Sequence, residues 1–351
     1  GEIGRYRTDR YGFAVGTAGD VNGDGYSEIV VGMPFYTDDD DGAAYLYFGE
    51  APVVDDRADW TAEGEGANEH VGWAVSGAGD VNRDGYGDVI VGAYGRENDT
   101  GRVYVFPGSA SGLLTATLAV VEGGMVGDEL GWAVGAVGDV NDDGYDDVII
   151  GAPGCDNQRG RAYVYTGTDQ GLSAEPAWTV GGENRYDRFG HAVSGAGDVD
   201  GDGYNDVIIG AKTYPLGSGY GKVYVYHGGD AGLATSHAWS VAGVSDTDNF
   251  GAAVGPAGDV NADGFGDIII GAPGHTGGRG RAAVYHGSEA GLSLGPADWE
   301  AVGEKHGDHF GAAVSTAGDV DGDGRGDVIV GAFGYDTHID VRDVGKAYVY
   351  Y

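Results

Sequence analysis

The chain has almost no cysteine, little positive charge and no long apolar run. Cys155 is the single cysteine in 351 residues, which excludes an intrachain disulfide framework and a cysteine-based zinc site. Only 19 basic residues stand against 56 acidic ones, for a formal net charge of −37. Nucleic acid and anionic membrane are therefore excluded as partners, because phosphates are repelled at long range. No apolar stretch is long enough for a transmembrane helix. No segment near Gly1 reads as a secretion signal, and the expectation is a secreted or cell-surface protein from which the signal has been removed. No stretch shows a sustained helical period with caps. High charge with 72 glycines would fit disorder, but 23 Tyr, 9 Phe, 6 Trp and many Val-Ile runs argue against it.

What is present is one unit repeated six times. Its clearest segment starts at Asp20, Asp80, Asp139, Asp198, Asp259 and Asp319, with spacings of 60, 59, 59, 61 and 60 residues. The units run near 8–60, 61–119, 120–178, 179–239, 240–299 and 300–351, and they make residues 1–351 one domain. Length alone would have allowed two unrelated domains, and the repeats exclude that.

Each unit reads as four short strands. The first is the FGxAV-like segment: YGFAV at Tyr11, VGWAV at Val71, LGWAV at Leu130, FGHAV at Phe189, and FGAAV at Phe250 and Phe310. The second is a β-branched run such as DVIVG, continuous enough to be buried on both faces. The third is aromatic and β-branched, as in GRVYVF or GKVYVY. The fourth carries Trp60, Trp178, Trp239 or Trp299, and in the second unit the apolar run Leu118 to Val121. Six units of four strands predict an all-β, six-bladed β-propeller of four-stranded antiparallel blades. A linear β-solenoid is the alternative, though its repeats are usually shorter. The chain ends after a third strand, so the last blade either borrows residues 1–7 or lacks its outer strand.

Between the first and second strands every unit has the spacing D-x-[DN]-x-D-G-x-x-[DE]. The side chains are Asp20, Asn22, Asp24 and Glu28; Asp80, Asn82, Asp84 and Asp88; and Asp139, Asn141, Asp143 and Asp147. They continue as Asp198, Asp200, Asp202 and Asp206; Asp259, Asn261, Asp263 and Asp267; and Asp319, Asp321, Asp323 and Asp327. Tyr26, Tyr86, Tyr145, Tyr204, Phe265 and Arg325 each offer a backbone carbonyl. Alternate residues of such a loop point oxygens inward, the glycine at position six permits the turn, and hard oxygens in this number select Ca²⁺. An EF-hand is excluded because position twelve is apolar (Val31, Val91, Ile150, Ile209, Ile270, Val330). About six structural Ca²⁺ are expected.

The pattern FG-x-A-V…GDV(N/D)xDG(Y/F)xD(V/I)(I/V)(I/V)GA resembles the FG-GAP repeat of integrin α-subunit β-propellers and of many bacterial secreted proteins. The resemblance covers nearly the whole chain. It implies Ca²⁺ loops on one face and, as in integrins, protein partners on the opposite face. This chain departs from the integrin pattern in counting six units rather than seven and in lacking disulfides. It therefore resembles a stand-alone microbial member more closely than an animal receptor fragment.

Function is expected on the face that varies between units. The connections between strands two and three run 10, 9, 9, 11, 9 and 14 residues from glycine to glycine. The longest holds Tyr335, Asp336 and His338, and the first holds Phe35, Tyr36 and Asp38 to Asp41. Together they form a candidate site for a cationic or carbohydrate ligand, or simply solvated acidic loops. A second candidate is the propeller axis. The strand-one position there reads Phe13, Trp73, Trp132, His191, Ala252 and Ala312, preceded by pairs such as Glu69-His70, Asp187-Arg188 and Asp308-His309. There His70, Arg188, His191 and His309 would serve acid–base chemistry in a lyase or cyclase. Otherwise the positions are ordinary blade packing, with the acids capping loop backbone. Arg325-Gly326-Asp327 spells an adhesive tripeptide, but Asp327 is also a loop ligand. Cys155 lacks a catalytic constellation and reads as an inert thiol. The leading expectation is a monomeric extracellular scaffold that binds a protein or glycan, and an enzyme is the alternative.

Overall fold

The computed structural model describes residues 10–49, 57–336 and 344–351. Six antiparallel sheets follow one another along the chain in sequential strand order, and the protein is an all-β, six-bladed propeller. Blade 1 comprises Ala14–Gly19, Glu28–Met33, Ala43–Tyr47 and Trp60–Glu63. Blade 2 comprises Ala74–Gly79, Asp88–Ala93, Arg102–Phe106 and Ala119–Glu122. Blade 3 comprises Ala133–Gly138, Asp147–Ala152, Arg161–Tyr165 and Trp178–Gly181. Blade 4 comprises Phe189–Gly197, Asp206–Ala211, Lys222–Tyr226 and Trp239–Ala242. Blade 5 comprises Ala253–Gly258, Asp267–Ala272, Arg281–Tyr285 and Trp299–Val302. Blade 6 has three strands among the described residues: Phe310–Gly318, Asp327–Ala332 and Lys346–Tyr350. The sequence reading of how this blade is completed falls on residues 1–7, all of which lie outside the described residues. The chain divides into two compact units, 1–139 with 143–156 and 161–179, and 140–142 with 157–160 and 180–351.

The β-branched second strands sit in the middle of each sheet, paired on both sides. Ile90, for example, faces Ser76 on one neighbour and Val105 on the other. They are the best-buried segments, with Val89, Ile90 and Val91 fully enclosed. Blades meet through glycine. A Cβ on Gly32 would lie 1.9 Å from the Gly72 carbonyl oxygen, and one on Gly210 would lie 2.0 Å from that of Gly251. The glycine of the FG step and the one ending strand two therefore exist to let neighbouring backbones touch. Tryptophan locks the outer edge. Trp60 packs edge-on to Phe106 of the next blade at 4.7 Å and donates Nε1–H to Leu114 O. Trp239 repeats this against Tyr285 at 5.0 Å, with Ser293 O as acceptor.

Among the described residues the helices have only four residues each, and these are unusual. Glu97 (φ 53, ψ 54) and Asn98 (φ 61, ψ 54) make a left-handed turn with Asp99, closed by Asp99 N–H to Gly95 O. Asp156, Asn157 and Gln158 do the same, and so do Thr276, Gly277 and Gly278. L-residues disfavour this winding by about 1–2 kcal/mol each. Gly277→Ala is accordingly expected to lower the urea midpoint by an amount equivalent to about 1–2 kcal/mol. Its Cβ would also press within 2.9 Å of His306 Nδ1. An unchanged midpoint would show that this turn is not wound as described.

Candidate functional site

Each acidic loop begins where the first strand breaks register. In blades 1 and 2 the irregularity falls between Thr17 and Gly19 and between Gly77 and Gly79. Gly19 (φ 73) and Gly79 (φ 77) turn the chain into the loop. The first aspartate then organises the turn. Asp20 Oδ1 accepts N–H bonds from Gly23 (2.6 Å) and Asp24 (3.1 Å), and its Oδ2 accepts one from Gly25 (2.9 Å). Asp198 and Asp319 hold their loops in the same way.

The carboxylate at position nine is the buried anchor. Glu28, Asp88, Asp147, Asp206 and Asp267 are fully enclosed, and Asp327 nearly so. One oxygen accepts the position-two N–H, as in Val81 to Asp88 Oδ2 (3.0 Å). In blades 2 to 5 the other accepts from the glycine after strand three: Gly108, Gly167, Gly228 or Gly287. Burial outweighs these bonds. It raises Asp88 to about 7 and Asp206 to about 6, and it raises Glu28 and Asp267 as well.

The donor set suits a hard divalent cation. Two oxygens on one Ca²⁺, each about 2.3–2.6 Å from it, lie at most about 5 Å apart. One oxygen each from Asp20, Asp24 and Glu28 falls within 4.8 Å of the others, as do those of Asp198, Asp200 and Asp206 and of Asp319, Asp321 and Asp327. Glu28 Oε1 is buried with no hydrogen-bond partner among the described residues, an orphan that a cation would satisfy. The adhesive tripeptide reading loses its key group, because Asp327 is buried and its Oδ2 accepts Val320 N–H at 2.7 Å.

At the other end of blades 1 to 3 lies a partly exposed aromatic cluster. Trp73 is its hub, with ring centroids 4.5 Å from Phe13, 4.5 Å from Tyr94, 4.8 Å from Trp132 and 6.2 Å from Phe35. His70 stacks on Tyr94 at 5.1 Å, and Arg10 lies over Phe35 at 4.7 Å. Phe13 is 41% exposed and Phe35, Trp73, Tyr94 and Trp132 are half-buried, so the cluster reaches solvent. Sequence reading placed Trp73, Trp132 and His70 here. It placed Phe35 in the other candidate, with Tyr36, and did not assign Tyr94; both come from the connections after strand two, and only blade-to-blade adjacency brings them in. Tyr36, the neighbouring sequence candidate, is half-buried and packs against the core cluster that holds Met33 and Tyr45.

The remaining candidates are placed in the second unit. Burial, with Lys212 and Arg188 nearby, holds the His191 imidazole well below its ordinary value. His309 stacks on Phe333 at 4.8 Å. Tyr335 carries Lys346 and Lys305 over its ring at 4.7 and 5.3 Å. His338 lies outside the described residues. The acids preceding the FG step cap loop backbone, as the packing alternative held: Asp128 accepts from Met125 N–H, Asp187 from Asn184 N–H and Asp308 from Lys305 N–H. Cys155 is buried and its thiol pushed up to about 12 by that burial, so it is inert. Among the described residues no helix is long and apolar enough to cross a membrane.

Comparison with known proteins agrees with this geometry. Integrin alpha pat-2 of Caenorhabditis briggsae is 35% identical over 227 residues, 59% of this chain and 18% of that protein. Integrin alpha-5 of Xenopus laevis is 33% identical over 219 residues, covering 59% and 20%. Integrin alpha-4 of Xenopus laevis is 32% identical over 260 residues, covering 72% and 24%. The chain thus spans about a fifth of the length of these curated relatives. Among solved structures, Chaetomium thermophilum Sqt1 bound to the N-terminus of the ribosomal protein L10 matches 93% of this chain and 83% of its own. The TM-score is 0.53 at 12% identity, a likeness of fold alone. Residues 11–47, 71–106, 130–165, 189–226, 250–285 and 310–350 match the model of the FG-GAP repeat, and the chain belongs to the FG-GAP repeat family.

Proposed function

We propose that residues 1–351 form one calcium-stabilised extracellular propeller that binds a protein or glycan through its aromatic end. The acidic loops would hold structural Ca²⁺ through positions one, three, five and nine and the backbone carbonyl at position seven. The opposite end carries the ligand. The observation behind this reading is the cluster of Phe13, Phe35, His70, Trp73, Tyr94 and Trp132. Partly exposed aromatic patches of this kind mark binding surfaces, and aromatic anchors supply most of the energy of such contacts. The family membership points the same way.

The test is biolayer interferometry of the chain against immobilised extracellular-matrix proteins and a glycan array. Phe13→Ala/Phe35→Ala is expected to weaken any specific ligand about tenfold or more, at a melting temperature close to that of the parent. Unchanged affinity in that variant would place the binding surface elsewhere.

A further inference from the structure

The six loops share one spacing, but their carboxylates are not arranged alike. We propose that they take up calcium in two classes, tight in blades 1, 4 and 6 and weak in blades 2, 3 and 5. This rests on the calcium reading above and divides it.

Only in blades 1, 4 and 6 do three carboxylates each bring an oxygen to within 4.8 Å of the others, among the described residues. The sequence supplies the reason. Blades 4 and 6 have aspartate at position three, Asp200 and Asp321, and so four carboxylates per loop, whereas blades 2, 3 and 5 have Asn82, Asn141 and Asn261. Affinity in oxygen loops rises with ligand charge and rigidity. In blades 1, 2 and 5 alike the asparagine amide donates to the position-five carboxylate, at 3.0 Å to Asp24, 3.0 Å to Asp84 and 2.9 Å to Asp263, so position three alone does not set blade 1 apart.

Blade 1 also has asparagine, Asn22, but differs at position nine. Glu28 is one methylene longer than aspartate. Its Oε2 takes Val21 N–H at 2.6 Å, and its buried Oε1, beside the Gly49 backbone, makes no hydrogen bond of normal length, while one of its oxygens lies within 4.8 Å of those of Asp20 and Asp24. In blades 2, 3 and 5 that second oxygen is committed to Gly108, Gly167 or Gly287. Blade 4 commits it too, to Gly228, but gains Asp200, whose Oδ2 is held 2.7 Å from His227 Nδ1. Blade 3 carries a further handicap. The Arg83 guanidinium lies against its loop, so close that a Cβ on Gly144 would sit 2.6 Å from Nη1. Its positive charge therefore lies beside this loop and works against uptake of a second cation.

Isothermal titration of the metal-stripped whole chain with CaCl₂ tests this. Three ions are expected to bind about tenfold or more tighter than three others. Asn82→Asp should move one ion into the tight class, and Asp321→Asn should move one out. A single class of six, or a ratio that neither substitution moves, would overturn the division. Absence of any calcium uptake would instead overturn the calcium reading beneath it.

Discussion

Stripped of divalent cations by EGTA, the chain is expected to melt far below its temperature in calcium. Each loop that binds calcium at a hundred times its dissociation constant adds about 2.7 kcal/mol to the folded state. Three tight loops alone would contribute about 8 kcal/mol, a shift on the order of 20 °C for units of this size. The effect should spread beyond the loops, because within each compact unit their backbone ties neighbouring blades together. Asp20 O accepts Gly87 N–H at 2.8 Å and Val21 O accepts Ser109 N–H at 3.0 Å; Asp198 O and Val199 O accept from Gly266 and Ser288 at the same distances. An apo loop that opens to relieve crowded carboxylates would release these inter-blade bonds as well. Calorimetry in calcium and in EGTA measures the difference, and superimposable curves would remove calcium from the account.

Much of this was legible in the chain itself. The register of Asp20, Asp80 and their counterparts located the loops, and the β-branched runs located the central strands, because burial on both faces demands that composition. The FG glycines were visible too, but their reason was not. It lies in the contact of Gly32 with Gly72, a relation between neighbouring blades. The aromatic cluster was half legible for the same cause. Trp73 and Trp132 share a repeat position, whereas Phe35 and Tyr94 enter from connections of unequal length. The inward turn of Tyr36 depends on a one-residue alternation within such a connection. The left-handed turns at Glu97 and Asp156 leave only a weak compositional trace, because the Asn and Asp that tolerate positive φ there are common in every loop of this chain. The six loops read as equivalent in spacing; their difference lies in which oxygens backbone N–H groups already occupy.

Asp88→Ala is expected to destabilise the calcium-loaded protein by about 4 kcal/mol. The carboxylate is fully enclosed and accepts two buried N–H groups, from Val81 at 3.0 Å and Gly108 at 3.0 Å. Each donor left unpaired costs about 1–3 kcal/mol, and the substitution also unties the loop start from the turn after strand three. Without calcium the penalty should shrink, because the same buried charge then has no cation beside it. Its sign with pH follows. Burial raises Asp88 from 3.8 to about 7 in the folded state, so the folded protein holds that proton more tightly than the unfolded chain does. Stability in EGTA should therefore fall as pH rises through about 7 and recover as pH drops toward about 4. Asp206, raised to about 6, acts in the same direction, as do Glu28 and Asp267. The calcium-free parent should melt higher near about pH 5 than near about pH 8, with a shallower slope in Asp88→Ala. Ordinary acid destabilisation of the apo protein over that range, or an Asp88→Ala variant as stable as the parent in calcium, would contradict the anchoring role given to this carboxylate.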